Sequence, residues 1–339
     1  MASSAPPAGR IGRGPAAAPT LLVSLPALDE ETTVADIVRR VPRSIPGVGS
    51  VEILVVDDGS SDRTGEEARA AGAHVIRHPE RRGLGAAFHS ALAHGIERGA
   101  GLIVTIDADG QFDPADIPDL VRPVVEGEAD FTTASRFADP ALLPEMPPIK
   151  LWGNRMMSRL ISGLAGQTFH DVSCGMRCYS REAALRLTLT ASFTYTQEVM
   201  LNLAYKQLRI VEVPIRVRGE REHGESRVAQ NLWRYGWRTA RIAFRSYRDY
   251  NPMRFFGGAA GVLMVPAAGL AAFLLLHYLA SGSFSPHKWA GFTALGLTLV
   301  SLLLLQLGMT GAMLARHRVY LEEILYRQRA EQRPDPPPE

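Results

Sequence analysis

Short apolar runs alternate with helical patterns between residues 20 and about 217. The predicted strands are TLLVSLP, VEILVVDD, AHVIR, LIVTID and ADFTTASRF. The helices between them are predicted to begin near Glu31, Asp62, Leu84 and Pro114. Strands that are apolar throughout and alternate with helices are typical of a parallel sheet covered on both faces. The pattern therefore predicts an α/β domain with a mostly parallel, Rossmann-like sheet.

Two later stretches, 257–280 and 290–315, contain no Asp, Glu, Lys or Arg. At a rise of roughly 1.5 Å per residue, each can cross a hydrocarbon core of about 30 Å. A pair of buried core helices would have a similar composition. Arginines flank the pair on both outer sides, whereas the connecting SGSFSPHK holds a single lysine. These arginines are Arg234, Arg238, Arg241, Arg245, Arg248 and Arg254 before the pair, and Arg316, Arg318, Arg327 and Arg329 after it. The charge bias favours a transmembrane hairpin with both ends cytoplasmic.

An aromatic stripe and a cationic stripe precede the first apolar stretch. The first stripe is Trp233, Trp237, Ala240, Phe244 and Tyr247, and an arginine lies one residue after each of these positions. On a helix the two sets form adjacent stripes. An ordinary domain helix with a solvated arginine face would give the same pattern. We favour a helix in the membrane interface because the segment leads directly into a membrane span.

Composition narrows the function further. Residues 1–19 are rich in Ala, Pro and Gly without periodicity, which predicts a disordered tail and no secretory signal. The formal net charge of +2 is too small to indicate a nucleic-acid partner. Cys174 and Cys178 form a C-x-x-x-C pair with no second pair, which is a weak pattern for zinc and fits a reduced, cytosolic compartment.

Acidic and glycine residues collect where the predicted strands end. Asp57-Asp58-Gly59, Gly83-Leu84-Gly85 and Asp107-Ala108-Asp109 each follow a strand. Ligands of open parallel sheets bind outside the carboxyl ends of the strands. The segment RRGLGAAF is similar to a dinucleotide fingerprint, but it follows the third strand rather than the first. We therefore do not expect an NAD-binding domain, and tight packing of strand against helix would also explain these glycines.

The aspartates of VTIDADGQFDP suggest a cation site. Side chains alternate along an extended strand, so Asp107 and Asp109 are expected to project to one side and Ala108 to the other. Two converging carboxylates repel each other unless a cation lies between them, and hard oxygen ligands select Mg²⁺ or Mn²⁺. Gln111 offers a further oxygen. Two aspartates of a surface loop are the alternative, and the strand context favours the metal site.

Seven motifs, in this order, resemble one known family: VSLPALDEE, VVDDGSSDRT, GLGAA, DADGQFDP, SRF, DVSCGMR and REHGESR. They are similar to the GT-A glycosyltransferases of family 2, specifically the polyprenyl-phosphate sugar synthases of the dolichyl-phosphate mannose synthase type. The resemblance covers about residues 20–256. With the apolar stretches, it gives a GT-A domain (20–229), an amphipathic interface helix and juxtamembrane segment (230–256), a transmembrane hairpin (257–315) and a cytoplasmic tail (316–339).

The resemblance also implies site residues. Those beside the nucleotide are Pro26, Ala27, Leu28, Glu30, Asp57, Asp58, Gly85, Asp107, Ala108 and Asp109. Either Asp57 or Asp58 contacts base or ribose, and Asp107, Asp109 and Gln111 hold Mg²⁺ or Mn²⁺ on the diphosphate. The positions associated with phosphates, including that of the acceptor, are Arg136, Arg155, Arg221, Ser226 and Arg227. Arg227 departs from the family, which usually has Lys there. Glu198 matches an acid discussed as a base, and a helix-surface glutamate is the alternative.

The reaction implied is inverting transfer of a monosaccharide from GDP-mannose or a UDP-sugar to a polyprenyl phosphate of the dolichyl or undecaprenyl type. A lipid phosphate with a second pKa near ~6 is largely ionised at neutral pH, so this acceptor requires cations more than a strong base. The expected partners are the nucleotide sugar, the lipid phosphate and the bilayer, and a homo-oligomer through the transmembrane region is left open. The alternatives are a family 2 transferase with another membrane acceptor and a catalytically silent, nucleotide-binding membrane scaffold.

Overall fold

The computed structural model describes residues 18–143, 146, 148–188, 196–217, 241, 244–245 and 247–331. Its centre is a seven-stranded sheet with the strand order β3-β2-β1-β4-β6-β5-β7. The strands are β1 (Thr20–Ala27), β2 (Ser50–Asp57), β3 (His74–Arg77), β4 (Leu102–Thr105), β5 (Phe131–Ser135), β6 (Arg177–Ser180) and β7 (Ile210–Pro214). Only β6 runs antiparallel to its neighbours in this sheet, β4 and β5. The predicted mostly parallel sheet is confirmed, and β6 and β7 add two strands that were not predicted.

Seven helices accompany the sheet among the described residues. They are α1 (Val34–Arg40), α2 (Thr64–Ala70), α3 (Leu84–Glu97), α4 (Ile117–Val125), α5 (Pro148–Ala165), α6 (Arg181–Arg186) and α7 (Thr196–Tyr205). A short 3₁₀ turn at Pro114–Asp116 leads into α4. The predicted helix starts agree with the observed ones to within three residues, since α1 begins at Val34 rather than Glu31.

Side chains of the strands alternate between two separate apolar cores. On β1, Leu21, Val23 and Leu25 pack with residues of α1, α2 and α4. Leu22 points to the other face, where it packs in the core that includes residues of α3, α6 and α7. This alternation follows from the two-residue period of a strand. The sheet is thus covered on both faces, which is why its strands are apolar throughout.

Two further helices, α8 (Pro252–Ser281) and α9 (Lys288–Glu331), form a hairpin. Both are long and apolar enough to cross a membrane, and only 11% and 17% of their most apolar windows are buried. A soluble core helix would be mostly buried, so this exposure favours the membrane hairpin over the alternative of two core helices. The two predicted spans lie within these helices.

Small residues allow the two hairpin helices to approach each other closely. A Cβ atom added to Gly311 would lie 2.7 Å from Pro252 Cβ, and one added to Gly308 would lie 3.3 Å from Met253 Sδ. Without a hydrophobic driving force between helices in lipid, such close packing is the main source of helix association. The hairpin therefore resembles a membrane helix pair in its interior as well as on its surface.

The structure describes part of the chain on each side of the hairpin. Residues 241, 244–245 and 247–250 are helical, and Phe244 and Tyr247 of the aromatic stripe make edge contacts with Phe255 of α8. Of the predicted interface helix and juxtamembrane segment (230–256), residues 230–240, 242–243 and 246 lie outside the described residues. At the other end, residues 316–331, which belong to the predicted cytoplasmic tail, continue α9 without a break.

Candidate active site

The carboxyl ends of β1, β2 and β4 lie side by side. Ala27, the last residue of β1, pairs with Asp57 at the end of β2, and Ser24 pairs with Thr105 at the end of β4. From β1 the chain proceeds to β2 and β3 on one side, and β4 returns to the other side. The crevice beyond β1 and β4 is therefore the topological switch point, where open α/β sheets bind ligands.

Hydrogen bonds join the loop after β1 to the loop after β2. The N–H of Asp29 donates to Ser60 Oγ at 3.0 Å, and the N–H of Glu30 donates to Thr64 Oγ1 at 2.8 Å. Asp29 has a φ of 54°, in the left-handed region that side chains rarely adopt. The predicted residues Pro26, Ala27, Leu28 and Glu30 belong to this joined segment. Its backbone is therefore held in one position at the edge of the crevice.

The two adjacent aspartates after β2 have different surroundings. Asp58 Oδ2 accepts from the N–H of Gly83 at 2.7 Å, while its Oδ1 accepts from the N–H of Arg82 and lies 2.7 Å from His78 Nδ1. Asp58 thus anchors the loop that leads into α3, where the predicted residue Gly85 lies.

Asp57 is fully buried, and its Oδ1 accepts from the N–H of Ser60 at 2.8 Å. Its Oδ2 has no hydrogen-bond partner, although Arg77 Nε lies 3.5 Å away. This oxygen is buried and lies next to Gly65 of α2, where a Cβ atom would lie 2.9 Å from it.

Asp107, Ala108 and Asp109 lie in a turn, because β4 ends at Thr105. We had expected strand alternation to place both carboxylates on one side. That geometric argument is wrong, because neither aspartate lies in the strand. The turn is fixed from both sides: Thr33 Oγ1 donates to the Ala108 carbonyl at 2.8 Å, and the N–H of Gln111 donates to Asp109 Oδ1 at 3.1 Å. Asp109 is buried and Asp107 is half-buried.

Gly175 provides the space for the Asp107 carboxylate. A Cβ atom at position 175 would lie 2.2 Å from Asp107 Oδ2, far closer than atoms can approach. The Thr105 hydroxyl donates to the Gly175 carbonyl at 3.1 Å and so holds this glycine against the end of β4. The loop before β6 therefore forms a wall of the acidic turn.

These residues fit a divalent cation that is shared with a phosphate ligand. Among the described residues no group of three or more His, Cys, Asp or Glu could hold a metal ion alone. Mg²⁺ in phosphate sites is usually bound by one or two carboxylates, with substrate oxygens and water completing its shell. Asp107, Asp109 and the oxygen of Gln111 match that incomplete donor set.

Neither cysteine has the character of a metal ligand. Cys174 and Cys178 are free and buried. Burial raises the pKa of Cys174 to about 12 and that of Cys178 further still. The thiolate is the form that binds zinc, and burial disfavours the thiolate at both positions. These two cysteines are therefore poor candidates for zinc ligands.

Arg136, directly after β5, forms a bidentate ion pair with Asp171. Its Nε and Nη2 donate to the two Asp171 oxygens at 2.6 and 2.9 Å, and Nη2 also donates to Ser173 Oγ at 2.7 Å. Asp171 is fully buried. Burial alone would raise its pKa, but the Arg136 guanidinium holds the pKa below the ordinary value. The partly exposed Arg136 is thus held in one orientation.

The loop with Asp171 is also tied to β7 and to α5. Glu212 of β7 accepts from the N–H of Asp171 at 2.7 Å, and Ser173 Oγ donates to Asn154 Oδ1 at 3.2 Å. Arg155, the residue after Asn154, is exposed on α5. The predicted residues Arg221, Ser226 and Arg227 lie outside the described residues. The described chain before them ends at Val217, shortly after Pro214 pairs with Ser135, the neighbour of Arg136.

Glu198 lies in the first turn of α7 and is buried, unlike a helix-surface glutamate. Burial lowers the pKa of His89 on α3, and the negative charge of Glu198 partly opposes this shift. The Glu198 carboxylate is therefore close enough to His89 of α3 for their charges to interact.

Arg177 was not predicted as a site residue, yet it connects several parts of the site. It is fully buried and donates from Nε to the Cys174 carbonyl at 2.9 Å, from Nη2 to Val172 at 3.2 Å and from Nη1 to Thr196 at 2.8 Å. It thus fixes the Asp171–Gly175 loop and the start of α7. The signal available in the sequence was the DVSCGMR motif, which contains Asp171, Gly175 and Arg177.

The sheet and its flanking helices form a GT-A-like fold. The fold is similar to that of glucosyl-3-phosphoglycerate synthase from Mycobacterium tuberculosis, a protein solved with Mn²⁺, UDP-glucose and phosphoglyceric acid, at a TM-score of 0.52 and 22% identity over 68% of this chain and 80% of that one.

The family model for glycosyl transferase family 2 matches residues 23–188. The chain is 32% identical to the polyprenol monophosphomannose synthase of Mycolicibacterium smegmatis, over 61% of this chain and 80% of the relative. It is 30% identical to the UDP-N-acetylglucosamine–dolichyl-phosphate N-acetylglucosaminyltransferase of Methanococcus voltae, over 57% of this chain and 83% of the relative. The chain belongs to glycosyl transferase family 2, and it is an enzyme of the hexosyltransferase type.

Proposed function

We propose that this enzyme transfers one monosaccharide from a nucleoside-diphosphate sugar to a polyprenyl phosphate at the cytoplasmic face of a membrane. The supporting observation is the combination of a cation-ready acidic turn at the switch point with a lipid-exposed hairpin in one chain. A mannosyltransferase and an N-acetylglucosaminyltransferase, both named for polyprenyl-type lipids, are among the relatives. The donor is therefore GDP-mannose or a UDP-sugar.

The nucleotide is proposed to lie along the joined loops after β1 and β2. Asp57 is the proposed contact to base or ribose, because it ends β2 at the crevice, opposite Ala27 at the end of β1. Asp58 is proposed to act by fixing the loop before α3, since Arg82, Gly83 and His78 already surround its carboxylate.

Asp107, Asp109 and Gln111 are proposed to hold Mg²⁺ or Mn²⁺ against the diphosphate. A bound cation at this point would neutralise the charge that builds on the leaving diphosphate. Asp107 keeps its position because Gly175 leaves room for it, and Asp109 keeps its position through the Gln111 N–H.

In the proposed reaction, a phosphate oxygen of the lipid forms a bond to the anomeric carbon while the bond from that carbon to the diphosphate oxygen breaks. Attack opposite the leaving group inverts the anomeric centre. The attacking phosphate is already ionised, so no strong base is required, and Glu198 remains only a proposed base. Arg136, held by Asp171, is proposed to contact phosphate together with Arg155, Arg221, Ser226 and Arg227.

An exposed apolar stripe on α5 supports a lipid acceptor. Trp152, Met156 and Leu160 lie at four-residue spacing and are all exposed. Arg155 lies on the same helix, and its neighbour Asn154 reaches Ser173 beside Arg136. An apolar stripe with cationic neighbours is suited to the boundary between lipid tails and anionic headgroups. The arginine flanks of the hairpin support the cytoplasmic orientation.

A donor panel tests this function. The purified full-length enzyme is supplied with Mg²⁺ or Mn²⁺, with polyprenyl phosphate in vesicles, and with GDP-mannose, UDP-glucose or UDP-N-acetylglucosamine. We expect one donor to give a labelled lipid product, and unphosphorylated polyprenol to give none. Equal transfer to polyprenol would favour a family 2 transferase with another membrane acceptor.

A further inference from the structure

Residues 316–331, which we call the C-terminal strut, extend the second hairpin helix onto the sheet domain. Arg318, Glu322, Tyr326 and Arg329 follow one another at spacings of four, four and three residues, which places them on one helix face. Each of the four contacts a residue outside the strut.

Glu322 is the centre of the contact. Its Oε1 accepts from Thr188 Oγ1 and from Arg318 Nε, each at 2.9 Å, and its Oε2 lies 3.2 Å from Lys206 Nζ. Burial would raise the pKa of Glu322, but Lys206 and Arg318 lower it below the ordinary value. Burial lowers the pKa of Lys206 below its ordinary value although Glu322 raises it, and the positive charges of Arg318 and Arg186 lower it further. This part-buried pair depends on both partners being present, since either charge alone would be poorly solvated.

Tyr250 connects the strut to α7 and to the segment before the hairpin. Arg318 Nη2 and Asn202 Nδ2 donate to its hydroxyl at 2.8 and 2.9 Å. Its ring stacks on Tyr205 at 4.2 Å between centroids. Three parts of the chain that are distant in sequence therefore meet at one side chain.

The far end of the strut contacts α6 and the residues after it. Tyr326 OH donates to Glu182 at 2.8 Å, and Arg329 Nη1 donates to the carbonyl oxygens of Leu185 and Leu187 at 3.2 and 2.9 Å. Tyr326 and Arg329 lie about 12 and about 16 Å along the helix from Arg318. Contacts at two separated points prevent the helix from pivoting about either one.

We infer that the strut fixes the height and tilt of the catalytic domain above the bilayer, and that Glu322 and Tyr250 are positioning residues for a membrane-embedded acceptor. The acceptor part of this inference rests on the proposed function. A lipid phosphate is confined to the membrane plane, so the site must remain at one height to meet it. A rigid link supplies this orientation in advance, whereas a loose link would incur its entropic cost at each encounter.

The test compares the full-length variants Glu322→Gln and Tyr250→Phe with Glu323→Gln, whose carboxylate pairs with Arg327 at 3.0 Å within the strut itself. One spin label is placed at the exposed position Glu97→Cys at the end of α3. The other is placed at the exposed position Val262→Cys of α8. The buried native cysteines should not react with the label. In vesicles we expect a narrow distance distribution for the wild-type background and for Glu323→Gln, and a broad one for Glu322→Gln and Tyr250→Phe. Equally narrow distributions in all four would overturn the strut, whatever the enzyme transfers.

Transfer kinetics then test positioning with the same variants. With polyprenyl phosphate in vesicles, we expect KM to rise roughly tenfold or more in Glu322→Gln. With water-soluble citronellyl phosphate, kcat/KM should change less than about twofold, as should nucleotide affinity. Equal losses with both acceptors would overturn the positioning role in favour of a purely structural one. If the two variants show broadened distances but the wild-type enzyme transfers sugar to neither lipid phosphate, the proposed function is refuted. The role of the strut in orienting the domain would still stand.

Discussion

Leucine and valine side chains are buried in the sheet domain and exposed in the hairpin. Leu25 of β1 is 0% exposed, whereas Leu303 of α9 is 59% exposed and Val262 of α8 is 73% exposed. The sheet excludes water by packing helices on both faces, whereas the hairpin leaves an apolar surface uncovered, as a helix pair suited to lipid does. The two regions of the chain therefore suit different surroundings, water for the sheet domain and lipid for the hairpin. The catalytic edge belongs to the first of them, and the proposed acceptor belongs to the second.

The largest expected effect lies at the acidic turn, on the water side of this comparison. Asp109→Asn keeps the size of the side chain but removes a negative charge from the proposed cation site. We expect kcat to fall by roughly a thousandfold or more, with the thermal unfolding midpoint nearly unchanged. Initial rates over a Mg²⁺ and Mn²⁺ titration measure this loss.

Asp113→Asn is the matched control for that variant, because Asp113 lies in the same motif but pairs with Arg40 at 2.7 Å on the surface. It should retain activity close to wild type. Near-normal turnover of Asp109→Asn, or activity that persists in EDTA, would falsify the metal assignment.

A second prediction concerns the wall of the same turn. Gly175→Ala would introduce a Cβ atom 2.2 Å from Asp107 Oδ2, so the carboxylate must move. We expect activity to fall roughly a hundredfold, since misplacement by about 1 Å can cost that much. Gly163→Ala on α5 is the control, because a Cβ atom there would meet nothing within 4 Å. If Gly175→Ala binds Mn²⁺ and turns over as wild type does, Gly175 has no role in placing Asp107.

The sequence allowed much of this site to be predicted because its signals are local. Each strand end and the acidic or glycine residues that follow it occupy about ten consecutive residues, and the parallel sheet brings those ends to one edge. Asp57, Asp109 and Gly85, which remain predicted site residues, were therefore assigned to the ends of strands that the structure contains. The geometry of Asp107 and Asp109 was predicted incorrectly, because no sequence pattern shows that β4 ends two residues before Asp107.

Contacts between residues that are distant in the chain could not be predicted in the same way, even for Arg136, which the family resemblance had named. Arg136 meets Asp171, Glu322 meets Lys206, and Tyr250 meets Arg318, all across long separations. A charged residue such as Arg177 gives no sign in the sequence that it is fully buried and bonded to three carbonyl oxygens. The strand β6 was also missed, because its sequence RCYS has a single large apolar side chain and begins with this buried arginine.

A third prediction separates the two solvents directly. Leu303→Asp places a charge on the exposed face of the hairpin, where it would cost almost nothing in water but about 2.5–3.5 kcal/mol in a bilayer. We expect this variant to insert poorly while its sheet domain keeps its unfolding midpoint. Leu25→Asp should do the reverse, because it buries a charge in the sheet core. Membrane flotation and thermal unfolding measure the two effects. Normal insertion of Leu303→Asp would mean that lipid does not cover this face.

The smallest expected effect is a dependence on pH that belongs to the sheet domain. Asp171 has a pKa below its ordinary value in the folded enzyme because Arg136 binds its carboxylate. The unfolded chain has the higher pKa, about 3.9, so the ion pair contributes its full stability above that pH and loses it as the pH falls through the lower folded value. The free energy of unfolding, measured with urea between pH 7 and pH 3, should therefore decline at the acidic end.

Asp171→Asn should lower stability at neutral pH and flatten this acidic decline. Asp119→Asn changes an exposed surface pair with Arg122 and should leave the pH profile of stability unaltered. An acidic decline of equal size in Asp171→Asn would assign it to other carboxylates, such as Glu322, whose pKa is also lowered in the folded chain.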